Sequence, residues 1–367
     1  MKIVCIHQGF ELYGSDRSFL QVIKYLKQTK KFIKITVVMP RKGPLVEELE
    51  KLDIDLNFSQ LALINKTYIR TFQWGKILFP LFSLRKKYKY YNKYDIIYVN
   101  TSVILEMYLL APFIKKKKIL HIREIPAFPL NKLLSFFISK GNFTVIFNSR
   151  STKDSFNEFN KSHVVHNAFE GFLAATYNNK VPTDNGVLKL LLIGRINNWK
   201  GQDFAIEALS HLQAHENVQL KIVGSPFEGN EILLQNLKDK VALLHLTDKV
   251  EFVPFVANPH IEYESADVII VPSTKPEPFG RTAIEAMNLK KPVIAANHGG
   301  LAEIVSDGYN GFLFTPNNTI EFVASIRKYY YDRNLISLHG ENSSIIFDQK
   351  FSVDRMYNNL DKIFYAT

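Results

Sequence analysis

The chain has 367 residues, 46% of them apolar, a single cysteine and a formal net charge of +11. That length predicts two domains of ordinary size, and a lone Cys5 excludes a disulfide scaffold and a cysteine-cluster zinc site, in keeping with a reducing cytoplasm. No stretch reaches the roughly 18 uncharged apolar residues of a membrane span, and the opening run of residues 1–7 reads as a first strand rather than a cleavable leader.

In chain order, short β-branched and aromatic runs predict strands at 2–7, 34–40, 95–100, 118–122, 143–149 and 163–166, then at 188–194, 218–224, 249–255, 266–272, 292–296 and 311–315. Helical periods fall between them, at Arg17–Gln28, Ser151–Phe159, Gln202–Gln213, Glu231–Leu244 and Arg281–Asn288, with a last one at Val353–Phe364. Continuous apolar runs fit parallel strands covered on both faces, and their alternation with helices predicts an α/β fold of doubly wound sheets. Residues 169–187 lose this periodicity and gather Asn, Pro, Gly and Thr, a linker composition. The expected domains are therefore 1–170 and 186–345, both Rossmann-like. Residues 1–180 hold 29 Lys and Arg against 13 Asp and Glu, and the remainder 17 against 22, so the two parts carry +16 and −5. Only the first is expected to face an anionic partner.

Ligands of doubly wound sheets bind beyond the carboxyl ends of strands, where loops enter helices. Four such junctions carry unusual residues. At 273–285 (Ser-Thr-Lys-Pro-Glu-Pro-Phe-Gly-Arg-Thr-Ala-Ile-Glu) a Pro-rich loop leads to Gly280 at a helix start. Gly280 permits close backbone approach, and the amides of Gly280–Ala283 with the helix dipole predict an anion site that takes in Phe279, Arg281 and Thr282. Glu285, one turn into the helix, is placed to accept from ribose hydroxyls, and Glu277 from sugar hydroxyls. Either glutamate alone could equally serve to complement the dipole. At 193–201, Arg195 and Lys200 are candidates for cations aimed at a departing diphosphate, or else for solvated surface charges. At 7–17, Gly14-Ser15 lies in a Gly-containing first turn that lacks the Gly-x-Gly-x-x-Gly spacing. At 118–126, His121 and Arg123 fall at or just past a strand end, facing the same crevice.

With these junctions in view, the chain resembles the retaining glycosyltransferases of family 4, which have the GT-B fold. The motifs that carry the resemblance are Glu277-Pro-Phe-Gly-Arg-Thr-Ala-Ile-Glu285, Gly194-Arg195 with Lys200-Gly201, Gly300-Leu-Ala-Glu303, Asp307-Gly-x-Asn-Gly311-Phe, and Gly14-Ser15. The resemblance implies two Rossmann-like domains with the site between them, a nucleotide-diphosphate sugar bound mainly by the second and an acceptor by the first. Carried across, Arg195 and Lys200 hold the diphosphate, Glu285 the ribose and Glu277 the donor sugar, while His121 sits near the sugar's C6 oxygen. The helix at 351–367 is expected to cross back to the first domain. Front-face attack, with the leaving phosphate helping to deprotonate the acceptor, needs no protein nucleophile, no cofactor and no metal. The triplet Asp53-Ile-Asp55, a metal signature of another glycosyltransferase fold, reads as solvated surface at the end of a helix. The first turn departs from the family, with Gly-Ser-Asp-Arg where Gly-Gly-Ala-Glu is frequent.

Residues 66–93 mix cations with aromatics, and Lys115–Lys118 add a second cluster. This fits reversible docking on anionic lipid head groups at the inner face of the plasma membrane, with a polyprenyl-diphosphate-linked glycan as acceptor in cell-surface polysaccharide synthesis. It also fits a solvated helix over a buried apolar face. No nucleic-acid motif is present. Two other readings stay open: a nucleotide-sugar epimerase of the same fold, and a non-catalytic nucleotide-sugar-binding subunit.

Overall fold

The computed structural model of the chain describes residues 1–29, 31–32, 34–64, 72–172 and 186–365. Two compact units are present, Met1–Asn167 with the segment from Met356 onward, and Ala168–Arg355.

The first unit (unit 1) is built on seven parallel strands: β1 Lys2–Ile6, β2 Lys34–Met39, β3 Asp55–Phe58, β4 Ile96–Val99, β5 Lys117–Ile122, β6 Thr144–Phe147 and β7 Ser162–Val164. Their order is β3-β2-β1-β4-β5-β6-β7. Central strands such as Ile96–Val99 are buried at every position, as a sheet covered by helices on both faces requires. The C-terminal helix Val353–Phe364 packs on this unit through its residues from Met356 on. Tyr25 donates its hydroxyl to Asp361 at 2.7 Å, Gln21 donates to the Tyr357 hydroxyl at 2.7 Å, and the Phe364 ring lies 5.7 Å from that of Tyr98.

The second unit (unit 2) has six parallel strands: β8 Leu188–Ile193, β9 Val218–Val223, β10 Val250–Val253, β11 Val268–Val271, β12 Val293–Ala296 and β13 Gly311–Phe314, in the order β10-β9-β8-β11-β12-β13. Apolar side chains from both faces of this sheet meet the flanking helices in two separate cores.

Three expectations need correction. Asp55 opens β3 rather than ending a helix, and Asp53, in a left-handed turn (φ 49°), leads into that edge strand. The helix expected over 151–159 stops at Asp154, because Phe156 and Phe159 turn back onto Phe147 in a ring cluster with centroid spacings of 5.7–6.4 Å. Of the basic-aromatic stretch, residues 66–71 lie outside the described residues. Within the rest, Lys87 is a buried cation, 2.6 Å from the buried Glu106 carboxylate.

Candidate functional site

In a doubly wound sheet the crevice forms where neighbouring connections leave in opposite directions. Each unit has one such point, between β1 and β4 in unit 1 and between β8 and β11 in unit 2.

In unit 2 the loops that leave β8 and β11 are locked together by glycine. A Cβ on Gly201 would lie 1.9 Å from the Pro272 carbonyl oxygen, and Gly201 itself has φ 81°. Only glycine lets the backbones approach that closely. Thr274 N–H donates to Trp199 O at 2.8 Å across the same junction. The Asn197 side chain accepts from the amides of Trp199 and Lys200, both at 3.0 Å, and so shapes the turn that carries Lys200. The result is that Lys200 Nζ donates to Glu277 Oε1 at 2.6 Å, from loops 77 residues apart in the chain. Ser273 Oγ donates to the same oxygen at 2.7 Å, and the Glu277 side chain is only 5% exposed. The backbone of Glu277 is held as well: Gly300 N–H donates to its carbonyl at 2.7 Å, and a Cβ on Gly299 would lie 2.3 Å from that oxygen.

Gly280, at φ 113°, precedes the helix Arg281–Asn288. Arg281 Nε donates to Glu285 Oε1 at 2.7 Å and Tyr263 donates its hydroxyl to Glu285 Oε2 at 2.9 Å, so both carboxylate oxygens are held. Arg281 Nη1 is buried with no hydrogen-bond partner among the described residues, a donor that an oxygen-rich ligand would satisfy. Thr282 sits in the first turn, half-buried. Arg195 stacks its guanidinium 3.5 Å over the Phe227 ring, and Gln202 donates to Arg195 O at 3.1 Å. His298 Nε2 lies 2.8 Å from Ser273 O, and burial lowers the pKa of this ring below its usual range.

Two expected contributors act differently. The Phe279 side chain is buried in the core, edge-on to Phe351 at 5.9 Å, so it offers a ligand no side-chain surface. The Ala283 amide donates to Gly280 O at 3.1 Å, closing the helix's first turn, and is not an open anion donor.

In unit 1 the strand-order reversal holds a buried polar network. The loop leaving β1 runs to the helix Gly14–Gln28, where Gly14 and Ser15 form the first turn and Ser15 Oγ donates to Asp16 Oδ1 at 3.3 Å. Asp16 turns back to fix that loop, accepting from Leu12 N–H at 2.9 Å and Tyr13 N–H at 3.2 Å and lying 2.8 Å from His7 Nε2. Burial acts to raise the Asp16 pKa, but the contact with His7 and the hydrogen bonds from the Tyr13 and Leu12 amides together outweigh it and hold the carboxyl below its usual range. Asn100 then bridges outward. Its Nδ2 is 3.1 Å from His7 Nδ1, and its Oδ1 accepts from Tyr98 at 2.8 Å and from Arg123 Nε at 2.7 Å. Arg123 also donates to Asn167.

His121 lies inside β5, one residue before its end, and is buried rather than open to a crevice. Its Nδ1 is 2.8 Å from the Tyr98 hydroxyl and 3.3 Å from Arg123 Nη2, while its Nε2 is buried without a partner among the described residues. Burial first, and the Arg123 charge second, push its pKa well below the usual histidine value. A neutral ring that accepts at Nδ1 carries its proton on Nε2. His7, Asp16, Asn100 and Asn167 were not expected from the sequence. Each is a single polar residue at the end of an apolar strand or the start of a helix, and that position was the available signal.

Residues 163–343 match the family model described as Glycosyl transferases group 1. Among curated proteins, the chain is 32% identical over 177 residues to the D-inositol 3-phosphate glycosyltransferase of Geodermatophilus obscurus, a match covering 46% of this chain and 38% of that protein. It is 29% identical over 196 residues to the lipopolysaccharide 1,2-N-acetylglucosaminetransferase of Salmonella typhimurium, covering 49% and 51%. The chain thus matches about a third to a half of the length of these relatives. Among solved structures, Anabaena HepE in complex with UDP and glucose superposes with a TM-score of 0.83 at 22% identity, over 100% of both chains.

Proposed function

This chain belongs to the group 1 glycosyl transferases and has the GT-B fold, and from that premise we propose that it moves a sugar from a nucleotide diphosphate to a glycan hydroxyl with retention of configuration. The observation that carries the reading is the Lys200–Glu277 contact at the strand-order reversal of unit 2, next to the glycine-started helix that bears Glu285. One anion-seeking cation, one hydroxyl-seeking carboxylate and a helix N-terminus meet at one sheet edge there.

In this reading the diphosphate takes Lys200, with Arg195 beside it, and the ribose takes Glu285, already oriented by Arg281 and Tyr263. Glu277 accepts from donor-sugar hydroxyls. The bond from the sugar's C1 to the phosphate oxygen breaks as the bond from C1 to the acceptor oxygen forms on the same face, and the acceptor proton passes to the departing phosphate. Negative charge grows on that phosphate, and fixed cations aimed at it lower the barrier. From unit 1 the reading assigns His121, neutral with its proton on the buried Nε2, as a donor to a sugar oxygen, and Gly14-Ser15 as a second contributor. No metal is needed for these steps.

HepE is solved in complex with UDP and glucose, which makes a uridine nucleotide the first candidate here. The acceptor is proposed to be a lipid-linked glycan of cell-surface polysaccharide, as the name of the Salmonella relative suggests. Among the described residues no helix is long and apolar enough to cross a membrane. Docking on an anionic inner leaflet is supported by the exposed Trp74, Leu78, Phe79 and Phe82 amid Lys76, Arg85 and Lys86.

A thermal-shift panel of UDP-, GDP- and ADP-sugars tests the reading, since a ligand of the native state raises its melting point. A shift with one nucleotide class, abolished in Lys200→Ala, is the expected result. No shift with any nucleotide sugar defeats the proposal, and conversion of labelled donor to its epimer without acceptor redirects it to epimerisation.

A further inference from the structure

At the amino edge of the unit 1 sheet, opposite the polar network, lies a cavity of about 750 Å³ that the donor reading does not use and that takes in the basic cluster Lys115–Lys118. Three neighbouring parallel strands begin there. Lys115–Lys118 run into β5, Thr144 opens β6 and Lys161 precedes β7, while Lys140 comes from the end of the helix Leu130–Gly141 and Lys362 from the C-terminal helix. Seven lysines and His163 line the cavity, with no aspartate or glutamate among its lining residues. Lys117 stands four residues from His121 along β5, about 13 Å at 3.3 Å per residue.

Elsewhere in the chain lysines reach carboxylates, as Lys34 does Asp55 at 2.7 Å, Lys221 Glu262 at 3.0 Å and Lys240 Glu207 at 2.7 Å. Two of the ammonium groups here also reach carbonyls: Lys118 donates to Ile114 O, and Lys117 to Phe364 O at 3.2 Å. Burial, and then the charge of Lys161, lower the Lys117 pKa. Like charges gathered around a concave wall raise one another's free energy and focus a positive potential into the cavity. A multiply charged anion relieves both effects.

We propose that this cavity binds a phosphate ester or diphosphate group, at a site built only from unit 1 and distinct from the donor residues of unit 2. Two exposed aromatics stand at its rim. Phe113 follows Pro112 of the wall, and Phe136 lies 5.8 Å beneath the Lys140 ammonium. The phosphate therefore has two sources, a soluble diphosphate or the head group of a lipid whose apolar part meets those rings.

Two probes on the full chain separate them: calorimetric titration with inorganic pyrophosphate, and co-sedimentation with phosphatidylglycerol against phosphatidylcholine vesicles. The informative variant replaces the exposed Lys115, Lys116, Lys161 and Lys362 by Gln, with Lys116→Gln/Lys362→Gln as a milder form should the first fold poorly. The expected result is about a tenfold loss of binding to at least one probe, with the donor-induced thermal shift intact. Loss on vesicles alone assigns a lipid head group; loss with pyrophosphate alone assigns a soluble phosphate. The proposal fails if the parent binds neither probe, if the variants bind both as the parent does, or if pyrophosphate binding disappears only in Lys200→Ala, an outcome that leaves the donor reading intact.

Discussion

The two units place polar groups at the same topological point and build different chemistry there. In unit 2 the reversal between β8 and β11 gathers opposite charges in contact, Lys200 with Glu277 and Arg281 with Glu285, on loops that glycines press together. In unit 1 the reversal between β1 and β4 is threaded by His7, Asn100, Tyr98, His121 and Arg123, with Asp16 at one end and Asn167 at the other. The comparison teaches that topology selects where a ligand can be met, while the residue chemistry decides what is met. In the proposed reading, a paired ammonium and carboxylate exchange each other for a diphosphate and hydroxyls, and a neutral, buried ring held by its neighbours offers one directed proton.

The comparison breaks first at Lys200 and Glu277. If the pair serves the leaving group and the donor sugar, Lys200→Ala and Glu277→Gln each lower turnover by about 10²–10³-fold, the range for removing one transition-state charge partner. Steady-state release of nucleoside diphosphate measures this, with circular dichroism confirming the fold. Turnover within a factor of about three of the parent would show that unit 2's charges are structural.

A smaller effect tests the glycine packing beneath Glu277. Gly299 has φ 61°, and an added Cβ would meet Glu277 O at 2.3 Å. Gly308 shares the left-handed backbone, at φ 70°, but has open space around it. Gly299→Ala is expected to cost about 1–3 kcal/mol and to shift Glu277, lowering activity as well. Gly308→Ala meets only the backbone strain, so its melting point should fall less and its activity should hold. Equal losses would mean that backbone strain, and not contact with the Glu277 loop, governs both positions.

How much was legible follows from the same contrast. The twelve expected strands appear within two residues of their expected positions because most are continuous apolar runs between helical periods. The missed strand, Asp55–Phe58, is a four-residue edge element only partly buried, without the continuous apolar run that marks most of the others. The unit 2 residues stand in two short contiguous stretches, where Gly, Pro and charge mark a strand-to-helix loop. The unit 1 network takes one residue from each of several strands, so only the sheet order brings its members together. Lys87 shows the converse: a cation inside a basic stretch reads as surface until Glu106, 19 residues on, is seen to neutralise it.

The smallest effect, and the sharpest for unit 1, is acid sensitivity at His121. Its folded-state pKa is depressed by burial and by Arg123, whereas the unfolded chain titrates near the ordinary value of about 6.5. Above that pH neither state is protonated, and the folded protein keeps its full stability. As pH falls below it, the unfolded chain takes up a proton that the folded chain refuses, so stability declines by about 1.4 kcal/mol per pH unit. His298 and His339 also titrate low through burial, but they are common to parent and variant and cancel in the difference. Urea unfolding followed from pH 7.5 to 5 should therefore show a slope shallower by about one proton in His121→Gln than in the parent. Coincident slopes would mean that His121 is protonated in the folded state, and its Nδ1 could not then accept from Arg123.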